Sequence, residues 1–310
     1  MHTNKQMARL IKYSITTTFL ITLSGSAFAG INDSCTYNAQ SQMVTDMSGS
    51  PDSCNADPVA RKLSAYKVGL CTELPYYDNY QKVCDFLFES TTPIDLIAEK
   101  GFSKSIEGLG DVTLVEGKAY SHSVILASNT TYVKGLMEFD SPRLGKTGSG
   151  TYCWSTGSVA NWDRTSRSNF TAECGLLSEA NPQYNSMTNY SFKHVSQNIA
   201  AMERNFPDYN GGWTNELMSS ETEKATFDNG TPSFDDTTNA IYWLGGRPIN
   251  PSVTVTSSTT NLDLKFLVSW GSIVRYSGTT DGGDWHADCA STPCIGAINI
   301  AGFDLNVELN

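Results

Sequence analysis

Positive charge is scarce in this chain. Its 310 residues include 21 Lys and Arg against 32 Asp and Glu, a formal net charge of −11. A nucleic-acid partner needs clustered Lys and Arg to meet phosphates, and this balance excludes one. Charge of either sign is also sparse, at 17% of residues, while aromatics reach 11%. A disordered chain would show the opposite, and a coiled coil would be rich in Glu, Lys, Leu and Ala. Histidine is nearly missing. Of four, only His122, His194 and His286 lie beyond residue 29, which limits the supply of general bases. Long apolar runs are absent after the N-terminal segment, so no helix is expected to span a bilayer. There is no P-loop, no G-x-G-x-x-G, no H-E-x-x-H and no G-x-S-x-G elbow.

What is present begins with an export signal. Lys5, Arg9 and Lys12 precede an uncharged stretch from Tyr13 to Leu23, and Ala27-Phe28-Ala29 has the form of a cleavage site. Residues 1–29 therefore read as a signal peptide. The apolar run is shorter than the roughly 20 residues a spanning helix needs. Losing the three positive charges takes the mature chain from −11 to −14. The expected location is secreted, extracellular or periplasmic.

Eight cysteines follow, all beyond residue 29. An even count in an exported chain predicts a disulfide framework. They fall into local pairs separated by 19, 13, 21 and 5 residues: Cys35–Cys54, Cys71–Cys84, Cys153–Cys174 and Cys289–Cys294. Zinc on His286, Cys289 and Cys294 is the competing reading, disfavoured by an oxidising compartment.

Short alternating runs rich in Val, Ile, Thr and aromatics predict strands at Tyr66–Leu70, Val83–Phe88, Asp111–Glu116, Ala119–Ala127, Thr131–Phe139, Ala240–Leu244, Ser252–Thr256, Leu262–Trp270, Ile273–Tyr276 and Ile298–Leu309. Asn129 marks a turn between two of them, and Gly302 a bulge in the last. Thr92 as cap, Pro93 at the first position and Gly101 at the end predict a short helix. Val195–Arg204 is a weaker helix. Residues 141–175 read as a long loop or a ragged hairpin pinned by Cys153–Cys174. The sum is an all-β, disulfide-stapled β-sandwich, jelly-roll-like, with a few short helices. Residues 30–310 form one domain, and a boundary within 176–237 is the alternative.

Few residues suggest chemistry. Asp281-Gly282-Gly283-Asp284-Trp285-His286-Ala287-Asp288 is the sharpest local feature. Asp281, Asp284 and Asp288 are candidate calcium ligands, because hard calcium takes several oxygens and glycines let backbone carbonyls turn inward. The bland alternative is a solvated acidic turn. Trp154, Trp162, Trp213 and Trp285 lie in stretches read as loops. Trp154, Trp162 and Trp285 are candidate sugar-stacking platforms, against packing as satellite cores. Glu138 and Asp140 share a strand face and are a weak catalytic pair.

These features lead to a non-enzymatic extracellular binding or adhesive protein, glycan-recognising or contacting a cell-surface protein. The layout resembles, in style and without a family motif, extracellular adhesins, lectin-like modules and filament subunits. Two alternatives remain: a secreted hydrolase acting on polysaccharide, and a filament or virion subunit that self-associates through its terminal strand.

Overall fold

The computed structural model describes residues 35–44, 53–99, 104–105, 115–159, 166–188, 214–226, 239–256, 262–267, 272–277, 285–300 and 304–309. The signal-peptide segment, the Val195–Arg204 helix and Gly302 lie outside them, as does most of the Asp111–Glu116 run. The strands are β1 (Thr36–Tyr37), β2 (Met43–Val44), β3 (Ser53–Ala56), β4 (Ala60–Cys71), β5 (Cys84–Glu99), β6 (Lys104–Ser105), β7 (Ala119–Lys134), β8 (Leu136–Leu144) and β9 (Ser149–Ser155). They continue with β10 (Ala172–Gly175), β11 (Asn185–Thr188), β12 (Thr214–Ser220), β13 (Glu223–Lys224), β14 (Tyr242–Thr254), β15 (Leu262–Leu267), β16 (Ser272–Tyr276), β17 (Ile295–Ile300) and β18 (Asp304–Leu309). Among the described residues, helix is limited to α1 (Tyr80–Val83) and short 3-10 turns. The fold is all-β and disulfide-stapled. No helix among the described residues is long and apolar enough to cross a membrane.

Two of the sheets form a sandwich. One runs β1-β2-β8-β9-β10 and the other β17-β16-β3. Met137, Phe139, Cys153 and Ala172 from the first share a core with Ala56, Val274, Tyr276 and Ile298 from the second. The Cys35–Cys54 and Cys153–Cys174 bridges lie in this core, and all four local pairs are the bridges that form. Residues 141–175, expected as a long loop or a ragged hairpin, supply the end of β8 with β9 and β10, and the hairpin is the form taken: β9 and β10 pair antiparallel with Cys153 opposite Cys174. Glycine permits this. A Cβ on Gly150 would stand 2.0 Å from the Gly175 carbonyl oxygen, so the chains meet where side chains could not.

The largest sheet runs β13-β12-β14-β7-β4-β5, with β11 pairing beside β14 on the same edge of β7. Here several local expectations fail. β7 is continuous through Asn129, which does not turn; its side chain instead donates to the Ala240 carbonyl at 2.6 Å, joining β7 to the segment that leads into β14. The expected helix at 92–101 is the second half of β5. Its residues Ile94 to Glu99 pair with Ala60 to Ala65 of β4, and Leu96 and Ala98 point into the core with period two. Pro93 is tolerated because β5 is an edge strand. The expected final strand is two: β17 joins β16, and β18 pairs with β15 in a separate three-stranded sheet.

A bulge in β4 decides which side chains face which way. Register shifts between Ala65 and Lys67, so Leu63 and Ala65 share one core with Val68 and Leu70 despite the odd spacing. Tyr66, expected in phase with Val68 and Leu70, is thereby turned to the opposite face, where it packs with Leu126, Met218 and Leu244.

Candidate binding face

Among the described residues, that opposite face is covered over one half and half-exposed over the other. Residues 67–71 of β4 and 123–127 of β7 are buried without interruption, because both sides of the sheet are covered there. The cover is the loop closed by Cys71–Cys84, with α1 inside it. Its Tyr77 amide donates to Glu216 at 2.8 Å, and the Tyr80 hydroxyl donates to the Glu221 carbonyl at 3.0 Å. Lys67, buried below Tyr80 and Phe86, holds Glu89 and Glu221 at 2.6 and 2.7 Å. Charge-assisted contacts of this kind keep the loop seated.

Beyond the cover, burial alternates. Arg61, Leu63, Thr131, Val133, Asn185 and Met187 point inward, while their neighbours face out. Four strands in the order β5-β4-β7-β11 present the outward set. Lys62 lies opposite Ile97 on one side and Tyr132 on the other, and Tyr132 lies opposite Ser186. The Lys62 ammonium is 4.3 Å from the Tyr132 ring centroid and 3.4 Å from an Asp95 oxygen. Ser64 donates to Asp95 at 2.6 Å, and the Thr130 and Thr188 hydroxyls meet at 2.8 Å. Lys134 stands 5.2 Å above the Tyr184 ring. Toward the covered half, Tyr66 and Tyr242 meet edge to face at 4.9 Å. Burial, with Tyr242 nearby, raises the Tyr66 hydroxyl above its ordinary pKa; burial, then Glu99 and Asp95, does the same for Tyr184. Both stay neutral hydrogen-bonding groups at physiological pH. The face therefore joins half-buried Tyr132 and Tyr184, two lysines and a set of hydroxyls, with Tyr66 and Tyr242 at its junction with the covered half.

The residues singled out from sequence lie elsewhere. Trp154 is in β9 rather than a loop and is 8% exposed, with its ring edge against Gly175. Trp285 packs edge to face on Phe170 at 5.9 Å and covers Gly296, forming a satellite core beside Cys289–Cys294. Trp162 and Trp213 lie outside the described residues. Asp281 and Asp284 do as well, so the calcium set is represented by Asp288 alone. Its carboxylate is 3.3 Å from the Arg167 guanidinium and 3.5 Å from His286. Arg167 also donates to the Gly145 carbonyl at 2.7 Å, tying this loop to the turn after β8. No group of three or more His, Cys, Asp or Glu suited to a metal occurs among the described residues. At Cys289 and Cys294 the expected disulfide forms, and the competing zinc reading falls because both sulfurs are spent in it.

The remaining candidates are engaged in the fold. Glu138 accepts from Gln42 at 2.9 Å, and Asp140 pairs with Arg143 at 2.8 Å. His122 contacts the Ser121 hydroxyl at 2.8 Å, and burial lowers its pKa, favouring the neutral ring. His194 is outside the described residues.

No protein-family model, curated protein or solved structure matches the chain. The reading of function rests on the face itself. Sequence reasoning missed its tyrosines and lysines although their alternation, Lys62-Ser64-Tyr66 and Thr130-Tyr132-Lys134, is plain. Each set takes on meaning only when the other strand stands beside it.

Proposed function

We propose that the protein is an exported binding protein that recognises a glycan on the open half of its largest sheet. The observation that carries this reading is Tyr132 and Tyr184 among lysines and hydroxyls, with the Tyr66–Tyr242 pair at the edge of the covered half. Tyrosine offers an apolar ring to the C–H face of a sugar and a polar tip to its hydroxyls. Ser64, Thr130, Ser186 and Thr188 add donors and acceptors that need no charge. Side chains held on paired strands lose little freedom when a ligand arrives, which favours binding by a sheet face. Export is supported by the N-terminal leader and by four disulfides, which persist in oxidising compartments.

A glycan array probed with the mature chain tests the proposal, with Tyr132→Ala and Tyr242→Ala beside it. Specific binding that both variants weaken supports the sheet face. Binding that neither variant changes overturns it. Release of reducing ends from a bound polysaccharide would move the protein to the hydrolases, and capture of cell-surface protein without glycan would also refute the reading.

A further inference from the structure

The outward set on β5, β4 and β7 includes four charged side chains, two of each sign, and they are interleaved. Asp95 and Glu99 stand on β5, Lys62 on β4 and Lys134 on β7. The Lys62 ammonium is shared between Asp95 at 3.4 Å and the Tyr132 ring. Glu99 and Lys134 lie on one row of the ladder, on either side of Ala60. Tyr184 sits amid all four. The Lys134 and Lys62 ammoniums are 5.2 and 5.9 Å from its ring centroid, and the charges of Glu99 and Asp95 add to burial in raising its hydroxyl pKa. The cluster sums to zero in a chain whose formal net charge is −11. We infer that the ligand is an uncharged glycan, gripped through its hydroxyls by ammonium and carboxylate groups set side by side. The inference rests on the glycan reading above and narrows it to one chemical class.

Charge of either sign on a ligand meets repulsion within the cluster. An anion drawn to Lys62 comes up against Asp95, already 3.4 Å from the same ammonium. A cation drawn to Asp95 or Glu99 comes up against Lys62 or Lys134. Like charges brought together across an interface are costly, so the arrangement selects against polyanions and polycations alike. A hydroxyl suits the same arrangement. It both donates and accepts, whereas a carboxylate only accepts and an ammonium only donates. Neighbouring hydroxyls of one sugar can donate to Asp95 and accept from Lys62 together, and hydrogen bonds to charged groups are the stronger ones. Ser64 donates to Asp95 at 2.6 Å and so shows a hydroxyl already in that role.

The test uses the mature, oxidised protein on a glycan array read from about 0.01 to 1 M salt, over which the screening length falls from about 30 to 3 Å. Hits are expected among uncharged glycans, with affinity changing less than about twofold across that range. Sulfated, uronate or amino-sugar glycans bound as well as uncharged ones of the same backbone, or hits that salt abolishes, overturn the inference and leave the glycan reading standing. An array with no hits removes both. A second measurement asks whether these four charges set the selection. Asp95→Asn with Glu99→Gln removes both carboxylates and keeps both ammoniums. This double variant should gain about fivefold over wild type in affinity for carboxymethylcellulose at low salt, the scale of two surface charge contacts, and lose the gain at high salt. Each single variant should show part of the gain, and melting temperatures check that all three fold. No gain overturns the inference, because the carboxylates would then not be what keeps an anionic glycan away.

Discussion

Lys62 lies directly across the β4–β7 pair from Tyr132, its ammonium 4.3 Å from the ring centroid. The pair forms part of the open face without forming part of the core beneath it. Cross-strand and exposed cation–π contacts are each worth about 0.5–1 kcal/mol. Tyr132→Ala should therefore cost about 1 kcal/mol or less in a urea melt. A loss of more than about 3 kcal/mol, the scale of a buried truncation, would show that this side of the sheet is covered in the folded protein.

Asn185 should be far less tolerant. Its buried side-chain oxygen accepts from the amides of Gly157 and Ser158 at 2.9 and 3.1 Å. Its nitrogen donates to the carbonyls of Thr171 and Ile298 at 3.0 and 2.9 Å. One side chain thus joins β11 to the loop after β9, the entry to β10, and β17. Asn185→Ala strands these partners in a dry environment, at about 1–3 kcal/mol each where no water replaces the lost bond. The expected loss is at least about 3 kcal/mol, read by chemical denaturation.

Removing the Cys153–Cys174 bridge with paired alanines should lower stability by about 3 kcal/mol in the chain-entropy account. The two residues are directly opposite in the β9–β10 pair and buried in the sandwich core. Peptide mapping of the unreduced wild type should recover this link and the other three. A link between the 35–84 and 153–174 groups would contradict the arrangement.

Glu173 makes the hairpin turn after β8 pH-dependent. Burial alone would raise its pKa, but hydrogen bonds from the Gly148, Thr147 and Cys174 amides and the Thr147 hydroxyl outweigh it. The carboxyl is held below its ordinary value of 4.5. A depressed carboxyl stabilises the fold above that ordinary value, and the contribution is lost as pH falls through the lower folded value. Denaturation of wild type and Glu173→Gln should differ at neutral pH and converge in acid. A difference that persists unchanged well below pH 4.5 would remove the linkage.

Much of this protein is set by short-range physics and is legible in its sequence. Four disulfides join the cysteines nearest in sequence, since closing a short loop costs little entropy. Alternation of Val, Ile and aromatics with polar residues determines that the described residues are mostly strand. Tertiary structure decided the rest, because strand pairing is non-local. Thr92–Gly101 carries the cap, proline and glycine marks of a short helix, yet Ile94–Glu99 are drawn into a ladder by Ala60–Ala65, which no local rule could supply. The bulge at Ala65–Lys67 reverses Tyr66, and a one-residue shift moves a side chain to the other face. The open face follows from the same cause. Lys62, Tyr132 and Tyr184 come from three separate stretches of chain, and they become neighbours only when β4, β7 and β11 align.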